Sequence, residues 1–395
     1  MSSSSVKSEP RLNVALVHDA LPYIGGAERV LATAMDIFPA APIYTLIHNP
    51  EALAGTPFEG REIHASFINR LPAAHTKYRN YLPLFPLAVE QLDLRAYDLI
   101  LSFNYAVAHG VRLAPRQVHI SYTYTPLRQA WQEYHSYLVG AGLNAGPKSW
   151  AARATLQYLR RWDYAAARRV GCLLAVSRWA AFNIWRAYRR PAEVLYPPVD
   201  VEAYRPLSPR DDYFISLARL EPRKRVDLIV KAFSRLGLPL LVVGDGPEYD
   251  RIAALAGPNV QMLGRIPDSE VSELLGRARA FVMAAEEDFG MAAVEAQAAG
   301  CPVIAYGRGG ALETVREGRT GLFFAEQSVD SLIAAVLRFT QGSLKFNPSD
   351  LRANVQRFDK TLFQNKLAQL VEREWSRADH KAYEEYANPI SFTPI

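Results

Sequence analysis

Two glutamates separated by seven residues flank a glycine in the stretch Glu287–Glu295, and this pattern carries the clearest chemistry. Gly290 lets the backbone approach a ligand closely, and the helix predicted after it begins with N–H groups that lack an intrahelical partner. Such groups suit an anion such as a phosphate. Glu287 and Glu295 can accept hydroxyl hydrogens, so the stretch predicts a site for a phosphorylated, hydroxyl-rich compound. Helix capping by acidic residues is the alternative, but it requires neither the glycine nor the second glutamate.

A second pattern places Arg219 and Lys224 between a predicted strand and a predicted helix. Ligands of parallel sheets bind at this end of the strands. Arginine grips a phosphate with two hydrogen bonds, and lysine acts as a point charge. The pair therefore predicts a site that neutralises a diphosphate, with an exposed basic turn as the alternative.

The third pattern is the glycine pair Gly25-Gly26, between the first predicted strand and the first predicted helix. Paired glycines permit positive φ and close approach to a ligand, although a plain tight turn would also explain them. The spacing is not G-x-G-x-x-G, and Gly244-Asp245-Gly246 supplies only a fragment of that motif. The dinucleotide fingerprint of dehydrogenases is therefore not supported.

Strand–loop–helix units position these residues in both halves of the chain. Short apolar runs such as Asn13–His18 and Tyr213–Leu217 are each followed by a stretch of helical periodicity. This alternation predicts an α/β protein with two doubly wound, Rossmann-like domains. The proline-rich stretch Leu195–Arg210 indicates the linker. We expect a disordered lead-in at 1–10, domains at 11–198 and 199–370, and a tail at 371–395 that packs back on the first domain.

The 395 residues are enough for two cores, with 49% hydrophobic and 22% charged residues. No apolar run reaches the roughly 18 residues of a membrane span, and the serine-rich start does not look like a signal peptide. Cys172 and Cys301 are interpreted as small buried hydrophobes rather than a disulfide framework. A cytoplasmic protein is the resulting expectation, and the net charge of +5 does not by itself suggest nucleic acid.

Basic and aromatic side chains are interleaved in two stretches of the first half, Phe67–Phe85 and Tyr158–Arg190. The first stretch carries Arg70, Lys77 and Arg79 and no acidic residue. Such a mixture suits an anionic membrane surface. The alternative is that the apolar residues form a core and the basic residues are solvated.

These motifs together resemble the retaining GT-B glycosyltransferases of family 4, over about residues 12–370. The N-terminal half resembles the branch that builds O-antigens and exopolysaccharides, several members of which use GDP-mannose. The segments that carry the resemblance are Gly25–Glu28, Tyr81–Pro86, Thr125–Trp131, Ser216–Lys224, Gly244–Pro247, Glu287–Glu295, Gly300–Ala305, Gly309-Gly310, Glu313 and Gly321.

The resemblance implies a GT-B fold, with the two domains facing a central cleft, and a role for each matching residue. Arg219 and Lys224 would bind the donor diphosphate, Glu287 the sugar hydroxyls and Glu295 the ribose. Other donor-binding positions would be Gly25, Gly26, Gly264, Arg265, Phe289, Gly290 and Met291. The substrates implied are a nucleotide sugar, with GDP-mannose as the first candidate, and a lipid-linked saccharide at the cytoplasmic face of a membrane.

One position departs from the related branch, in which a histidine commonly precedes the Thr-Pro-x-Arg stretch. Here that place is Tyr124, and Tyr124, Arg128 and His109 are the candidates on the acceptor side. His109 and His119 are possible substitutes for the missing histidine, but a lone histidine is more often structural.

No Asp-x-Asp triplet and no zinc-like spacing of histidines and cysteines is present, so we expect no metal and no cofactor beyond the nucleotide sugar. Alternatives kept open are a UDP-sugar-dependent transferase, a GT-B-shaped epimerase or phosphorylase, and a non-catalytic sugar-binding protein.

Overall fold

The structure is a computed structural model that describes residues 12–342 and 345–387, and these form two compact units. Within the described residues, the first unit contains 12–176, 180–195 and 364–387, and the second contains 177–179 and 196–363. The predicted boundaries lay after residues 198 and 370 instead. The lead-in at 1–10 and the end of the tail at 388–395 lie outside the described residues.

The sheet of the first unit is parallel throughout, because every pair of neighbouring strands is parallel. Its strand order is β3-β2-β1-β4-β5-β6-β7. The central strands are buried along their whole length, as expected for a parallel sheet covered on both faces. The strands are β1 (Val14–His18), β2 (Ile43–Thr45), β3 (Ile63–Ala65), β4 (Leu99–Asn104), β5 (Val118–Thr123), β6 (Cys172–Ala175) and β7 (Glu193–Val194).

Helices and short 3₁₀ turns connect these strands, and their apolar side chains pack with Ala15, Val17 and Ile100 in one core. The helices are α1 (Gly26–Ile37), α2 (Pro50–Leu53), α3 (Ala74–Lys77), α4 (Phe85–Glu90), α5 (Tyr134–Gly140), α6 (Pro147–Ala167) and α7 (Arg178–Tyr188). The 3₁₀ turns are Phe67–Arg70, Tyr78–Leu84 and Ala108–Gly110.

The second unit repeats this architecture with the strand order β10-β9-β8-β11-β12-β13, again parallel throughout. Phe214, Val242 and Ile304 lie in its core. The strands are β8 (Phe214–Leu217), β9 (Leu240–Val243), β10 (Val260–Gly264), β11 (Ala280–Met283), β12 (Val303–Tyr306) and β13 (Gly321–Phe324).

The helices of the second unit follow its strands in the same alternation. Among them, α8 buries a broad apolar face and ends at Gly237, whose left-handed backbone donates its N–H to the carbonyl of Phe233. The helices are α8 (Val226–Leu236), α9 (Tyr249–Ala253), α10 (Asp268–Arg277), α11 (Met291–Ala298), α12 (Ala311–Thr314), α13 (Val329–Thr340) and α14 (Pro348–Val355), with 3₁₀ turns at Val201–Ala203, Pro222–Lys224 and Gln356–Phe358.

The last helix, α15 (Lys360–Ala387), begins in the second unit and continues in the first. Leu367, Leu370 and Val371 are buried, and Arg373 forms a 2.7 Å ion pair with Glu193 of β7. These contacts explain why the first unit resumes at residue 364 rather than after residue 370.

In each unit the strand order reverses direction at one place, between β1 and β4 in the first and between β8 and β11 in the second. Connections leave in opposite directions there and open a crevice at the carboxyl ends of the strands, where ligands of such sheets bind. The loops after β1 and β8 carry Gly25 and Arg219, and the loop after β11 carries Glu287. The topology therefore brings the sequence motifs to the ligand-binding edges.

The basic residues between Arg153 and Arg190 do not form one solvated surface. Arg160 donates to the carbonyl of Ala130, Arg169 to that of Gly110, and Arg190 to that of Val170. In contrast, Arg186 and Arg189 lie over the exposed rings of Phe182 and Trp185. Part of this cluster thus secures loops of the first unit.

The stretch Phe67–Phe85 is divided in a similar way. Tyr78, Leu82 and Phe85 belong to the core, so these three side chains are not available to a membrane surface. Arg70, Lys77 and Arg79 are exposed, as are Leu84 and the neighbouring Leu87.

The two cysteines differ in environment. Cys301 is fully buried, and burial raises the pKa of its thiol to about 12. Cys172 is only partly buried, so the interpretation of both as buried hydrophobes was wrong for this residue. It lies at the start of β6 near Arg373 of α15. In the part of the chain that the structure describes, no helix has the length and apolar character needed to cross a bilayer.

Candidate functional site

The loop after β8 carries the cationic residues and rests on a glycine turn. Gly244 and Gly246 both have positive φ. A Cβ on Gly244 would lie 1.9 Å from the carbonyl oxygen of Ala218, and a Cβ on Gly246 would lie 2.5 Å from that of Leu220. Leu220 in turn donates its N–H to the carbonyl of Asp245 at 3.0 Å. The Gly-Asp-Gly-Pro turn therefore supports the loop through backbone contacts that leave no room for a side chain.

An alternating chain of ion pairs links the predicted catalytic residues. Arg219 contacts Glu221 at 2.9 Å, Arg223 contacts Glu221 at 3.2 Å and Glu287 at 3.5 Å, and Lys224 donates to Glu287. Three cations thus share two carboxylates. The structure brings Lys224 and Glu287 into direct contact, a pairing that the separate sequence motifs did not predict. Glu221 and Arg223 were missed, although they lie within the basic loop.

The loop after β11 leads into the start of α11. Gly290 adopts φ +89°, so a residue with a side chain would be strained here. Within the described residues, the first turn of α11 contains no acidic residue and no side-chain cap. Its amino-terminal N–H groups therefore retain the capacity to bind an anion.

The other predicted donor residues of this unit occupy different environments. Glu295 is buried on α11, whereas Met291 at the helix start is half-buried. Phe289 is buried against the rings of Tyr196 and Phe358, with centroids 5.8 and 5.1 Å away.

Gly264 and Arg265 lie at the carboxyl end of β10, where Gly264 has φ +66° and Arg265 is exposed. Gly264 accepts a hydrogen bond from the N–H of Gly244 at 2.7 Å. This bond joins the edge strand to the turn beneath the cationic loop.

The Gly309-Gly310 pair packs against the loop that follows β11. Gly310 donates its N–H to the carbonyl of Glu287 at 2.7 Å, and a Cβ on Gly310 would lie 2.4 Å from the Cα of Phe289. A Cβ on Gly309 would lie 2.4 Å from the carbonyl oxygen of Glu287. The two glycines therefore fix the backbone on which the Glu287 carboxylate is carried.

In the first unit, a carboxylate organises the Gly25-Gly26 turn. One oxygen of Glu28 accepts the N–H of Gly25 at 2.8 Å, and the other lies 3.1 Å from Nε2 of His18. Gly25 has φ −133°, so the expected positive φ was wrong. A Cβ on Gly25 would lie 2.9 Å from the Glu28 carboxylate, so that carboxylate would have to shift to accommodate a side chain.

A second carboxylate, Asp19, follows directly after β1, at the carboxyl edge of the same sheet. It is buried and accepts four backbone N–H groups, those of Tyr105, Ala106, Val107 and Ala108, at 2.6 to 2.9 Å. Burial raises its pKa, and these N–H groups act in the opposite direction. Asp19 was not among the predicted residues, because a single aspartate after a strand gives no recognisable pattern.

The candidates for the acceptor side, Tyr124, His109 and Arg128, each contact another residue of the first unit. Tyr124 donates its hydroxyl to the carbonyl of Ala27 at 3.0 Å, and burial raises its pKa well above the usual value. His109 is fully buried with Nε2 3.2 Å from Asp163, and His119 is buried with Nε2 2.9 Å from the Ser102 hydroxyl. Burial lowers the pKa of His119 to about 3. These contacts favour the structural interpretation of both histidines. Arg128 lies 4.0 Å from Glu133.

Sequence comparison supports the resemblance for the second unit. Residues 203–357 match the family described as glycosyl transferases group 1. A GDP-mannose-dependent alpha-(1-6)-phosphatidylinositol monomannoside mannosyltransferase of Mycobacterium tuberculosis is 33% identical over 174 residues, which is 36% of this chain and 45% of the relative. A D-inositol 3-phosphate glycosyltransferase of Mycobacterium marinum is 28% identical over 39% of this chain and 38% of the relative. The chain thus spans less than half the length of these relatives, and the second unit carries the sequence pattern of group 1 glycosyltransferases.

Solved structures extend the similarity to the whole fold. Sucrose-phosphate synthase from Thermosynechococcus elongatus matches with a TM-score of 0.72 and 19% identity over 93% of this chain and all of that one. Anabaena HepE in complex with UDP and glucose matches with a TM-score of 0.69 and 18% identity over 92% of this chain and all of HepE. The predicted fold class, two Rossmann-like α/β domains as in GT-B proteins, is confirmed.

The packing of Gly310 against Phe289 predicts a large effect of one added methyl group. Gly310→Ala should lower the free energy of unfolding by about 2 kcal/mol, because the Cβ would displace the Glu287–Phe289 backbone. Chemical denaturation measures the change. The matched control is Gly140→Ala, where no atom lies within 4 Å of the added Cβ. Equal stability of the two variants would contradict the packing described above.

Proposed function

We propose that this protein is a retaining glycosyltransferase of family 4 that transfers a hexose from a nucleoside diphosphate-sugar. The observation that carries the proposal is the contact between Lys224 and Glu287 beside the uncapped start of α11, within the segment that matches group 1 glycosyltransferases. Cations and helix N–H groups suit a diphosphate, and the adjacent carboxylate suits sugar hydroxyls.

Mannose from GDP-mannose is the donor we propose, because a mycobacterial relative of the second unit is named as a GDP-mannose-dependent mannosyltransferase. A UDP-sugar is the alternative, since HepE was solved with UDP and glucose. An epimerase or phosphorylase on the same fold would use the same donor loops.

The mechanism we propose depends on the positive charges of Arg219 and Lys224. Arg219 and Lys224 stabilise the departing nucleoside diphosphate, which lowers the barrier to an oxocarbenium-like transition state. The Lys224 ammonium is paired with the Glu287 carboxylate. Binding of the diphosphate would provide Lys224 with a new partner and leave the Glu287 carboxylate available to sugar hydroxyls. Glu295 would hold the ribose, and the leaving oxygen would accept the acceptor's proton on the same face.

A panel of nucleotide sugars tests the proposal directly. We expect transfer or slow hydrolysis with one of GDP-mannose, UDP-glucose and related donors, and a loss of about 10²-fold in kcat/KM for Lys224→Ala because a charge that stabilises the leaving group is removed. Lys231→Ala, an exposed lysine of α8, is the matched control and should retain wild-type rates. An inactive wild type, or a fully active Lys224→Ala, would contradict the proposal.

The transfer we propose is independent of metal ions, because Arg219 and Lys224 provide the positive charge at the diphosphate. Within the described residues, no three histidine, cysteine, aspartate or glutamate side chains come together as a candidate metal site.

We therefore expect the initial rate to be the same with and without excess EDTA. The measurement follows product formation with chelator, and again after addition of Mg²⁺ or Mn²⁺. Loss of activity in EDTA that is restored by either ion would contradict metal independence while leaving glycosyl transfer itself intact.

For the acceptor we propose a lipid-linked saccharide of polysaccharide assembly, reached from the cytoplasmic face of a membrane. The mycobacterial relative is named for a phosphatidylinositol monomannoside, which is a lipid-anchored sugar. On this chain the exposed cations Arg70, Lys77 and Arg79 lie in the same stretch as exposed Leu84 and near Leu87. Cations near an anionic bilayer contribute about 1 kcal/mol each.

Liposome flotation tests this surface. Reversing the charge of Arg70, Lys77 and Arg79 together should abolish flotation with vesicles rich in anionic lipid at low salt, because three attractive charges become repulsive. The matched control reverses Lys231, Arg235 and Arg277, which are surface cations of the second unit, and should leave flotation unchanged. Equal flotation of both triple variants would exclude the proposed surface.

A further inference from the structure

The carboxylate of Glu313, on α12, accepts three hydrogen bonds from two distant segments. Its Oε1 accepts the N–H of Trp179, and its Oε2 accepts the N–H of Arg178 and the hydroxyl of Tyr196, each at 3.0 Å. The two N–H groups belong to the first turn of α7, where backbone donors lack intrahelical partners. Glu313 therefore caps α7 from another element, and its charge is favourable at this helix end.

Both segments that Glu313 holds are places where the chain passes from one unit to the other. Residues 177–179 belong to the second unit although the residues on either side belong to the first, and Tyr196 is the first residue after the chain returns. One side chain thus holds two of the segments at which the chain changes unit. Arg357 adds to this anchor by donating to the carbonyl of Glu313 and lying over the ring of Phe358.

The same two segments contact the loop that carries Glu287. The hydroxyl of Ser177 donates to the carbonyl of Asp288, and the Tyr196 ring packs on Phe289 with a centroid distance of 5.8 Å. Ser177 and Asp288 are both buried. The contacts therefore run without interruption from Glu313, through Ser177 and Tyr196, to the backbone between Glu287 and Gly290.

We propose that Glu313 is a positioning residue for the loop Glu287–Gly290: through Arg178, Trp179 and Tyr196 it holds the two chain crossings against this loop. The proposal rests on the proposed function only in identifying this loop as the donor site. Glu313 lies 18 positions after Glu295, the nearest residue in the sequence that is assigned to the ligand, and it acts through its neighbours rather than by touching substrate.

Replacement of Glu313 should affect the loop because three donors would lose a charged acceptor, and two of these hydrogen bonds are partly buried. In Glu313→Gln one acceptor oxygen becomes an amide nitrogen, which faces N–H and O–H donors and cannot accept from them. Tyr196→Phe removes a single hydroxyl and keeps the ring that packs on Phe289, so it should give a smaller effect of the same kind.

The experiment measures hydrogen exchange by mass spectrometry on the ligand-free full chain, together with the affinity for GDP and for UDP. Glu313→Gln should accelerate exchange at residues 177–179 and 286–291, and weaken binding of the preferred nucleotide by about tenfold. The donor KM should rise more than kcat falls. Glu317→Gln is the matched control, because Glu317 lies on the same segment but bonds to Phe323 and Arg338.

The hydrogen exchange and the nucleotide affinity together test whether Glu313 positions the loop. Faster exchange at 286–291 in Glu313→Gln but not in Glu317→Gln, with a partial effect in Tyr196→Phe, would support the proposal. Faster exchange confined to 177–179, with unchanged nucleotide affinity, would overturn it. If the wild type binds neither GDP nor UDP, the proposed function fails, while the exchange at 286–291 still decides whether Glu313 positions the loop.

Discussion

The backbone of Gly309-Gly310 lies directly against the backbone of Glu287–Phe289, and the candidate site depends on this contact. The carbonyl of Glu287 is held by the N–H of Gly310 at 2.7 Å, and neither glycine has space for a side chain. A backbone held in this way has few alternative positions. The Glu287 carboxylate and the left-handed Gly290 at the start of α11 are consequently presented at fixed places, as a preorganised site requires.

The charges of the candidate site are paired with one another. Lys224 and Arg223 both contact Glu287, and Arg223 and Arg219 both contact Glu221. These side chains are partly exposed, so the individual ion pairs contribute little to stability. Their arrangement matters more for binding, because an incoming dianion competes with two carboxylates for three cations. Under the proposed function, donor binding exchanges internal partners for the diphosphate and the sugar.

Local patterns predicted a large part of this structure. Buried apolar runs predicted the strands, and the helix predicted after Gly290 is present as α11. Contacts between distant residues were not predictable: the Lys224–Glu287 pair joins residues 63 positions apart, and the Glu313 bonds span 117 to 135 positions. At Gly25 the backbone is extended, with its N–H on the Glu28 carboxylate, rather than in the positive-φ region that a glycine pair permits. In Phe67–Phe85, composition alone could not separate core residues from surface residues.

The environment of Tyr124 bears on which group can accept the acceptor's proton in the proposed mechanism. Its hydroxyl is donated to the carbonyl of Ala27, and burial raises its pKa, so the phenol stays protonated at neutral pH. A protonated phenol that already donates its hydrogen cannot serve as a general base. His109 is buried with Nε2 3.2 Å from Asp163, and His119 is buried and hydrogen-bonded to Ser102. Under the proposed function, these side chains therefore leave the acceptor's proton to another group, and the departing diphosphate oxygen, stabilised by Arg219 and Lys224, is the base that the mechanism supplies.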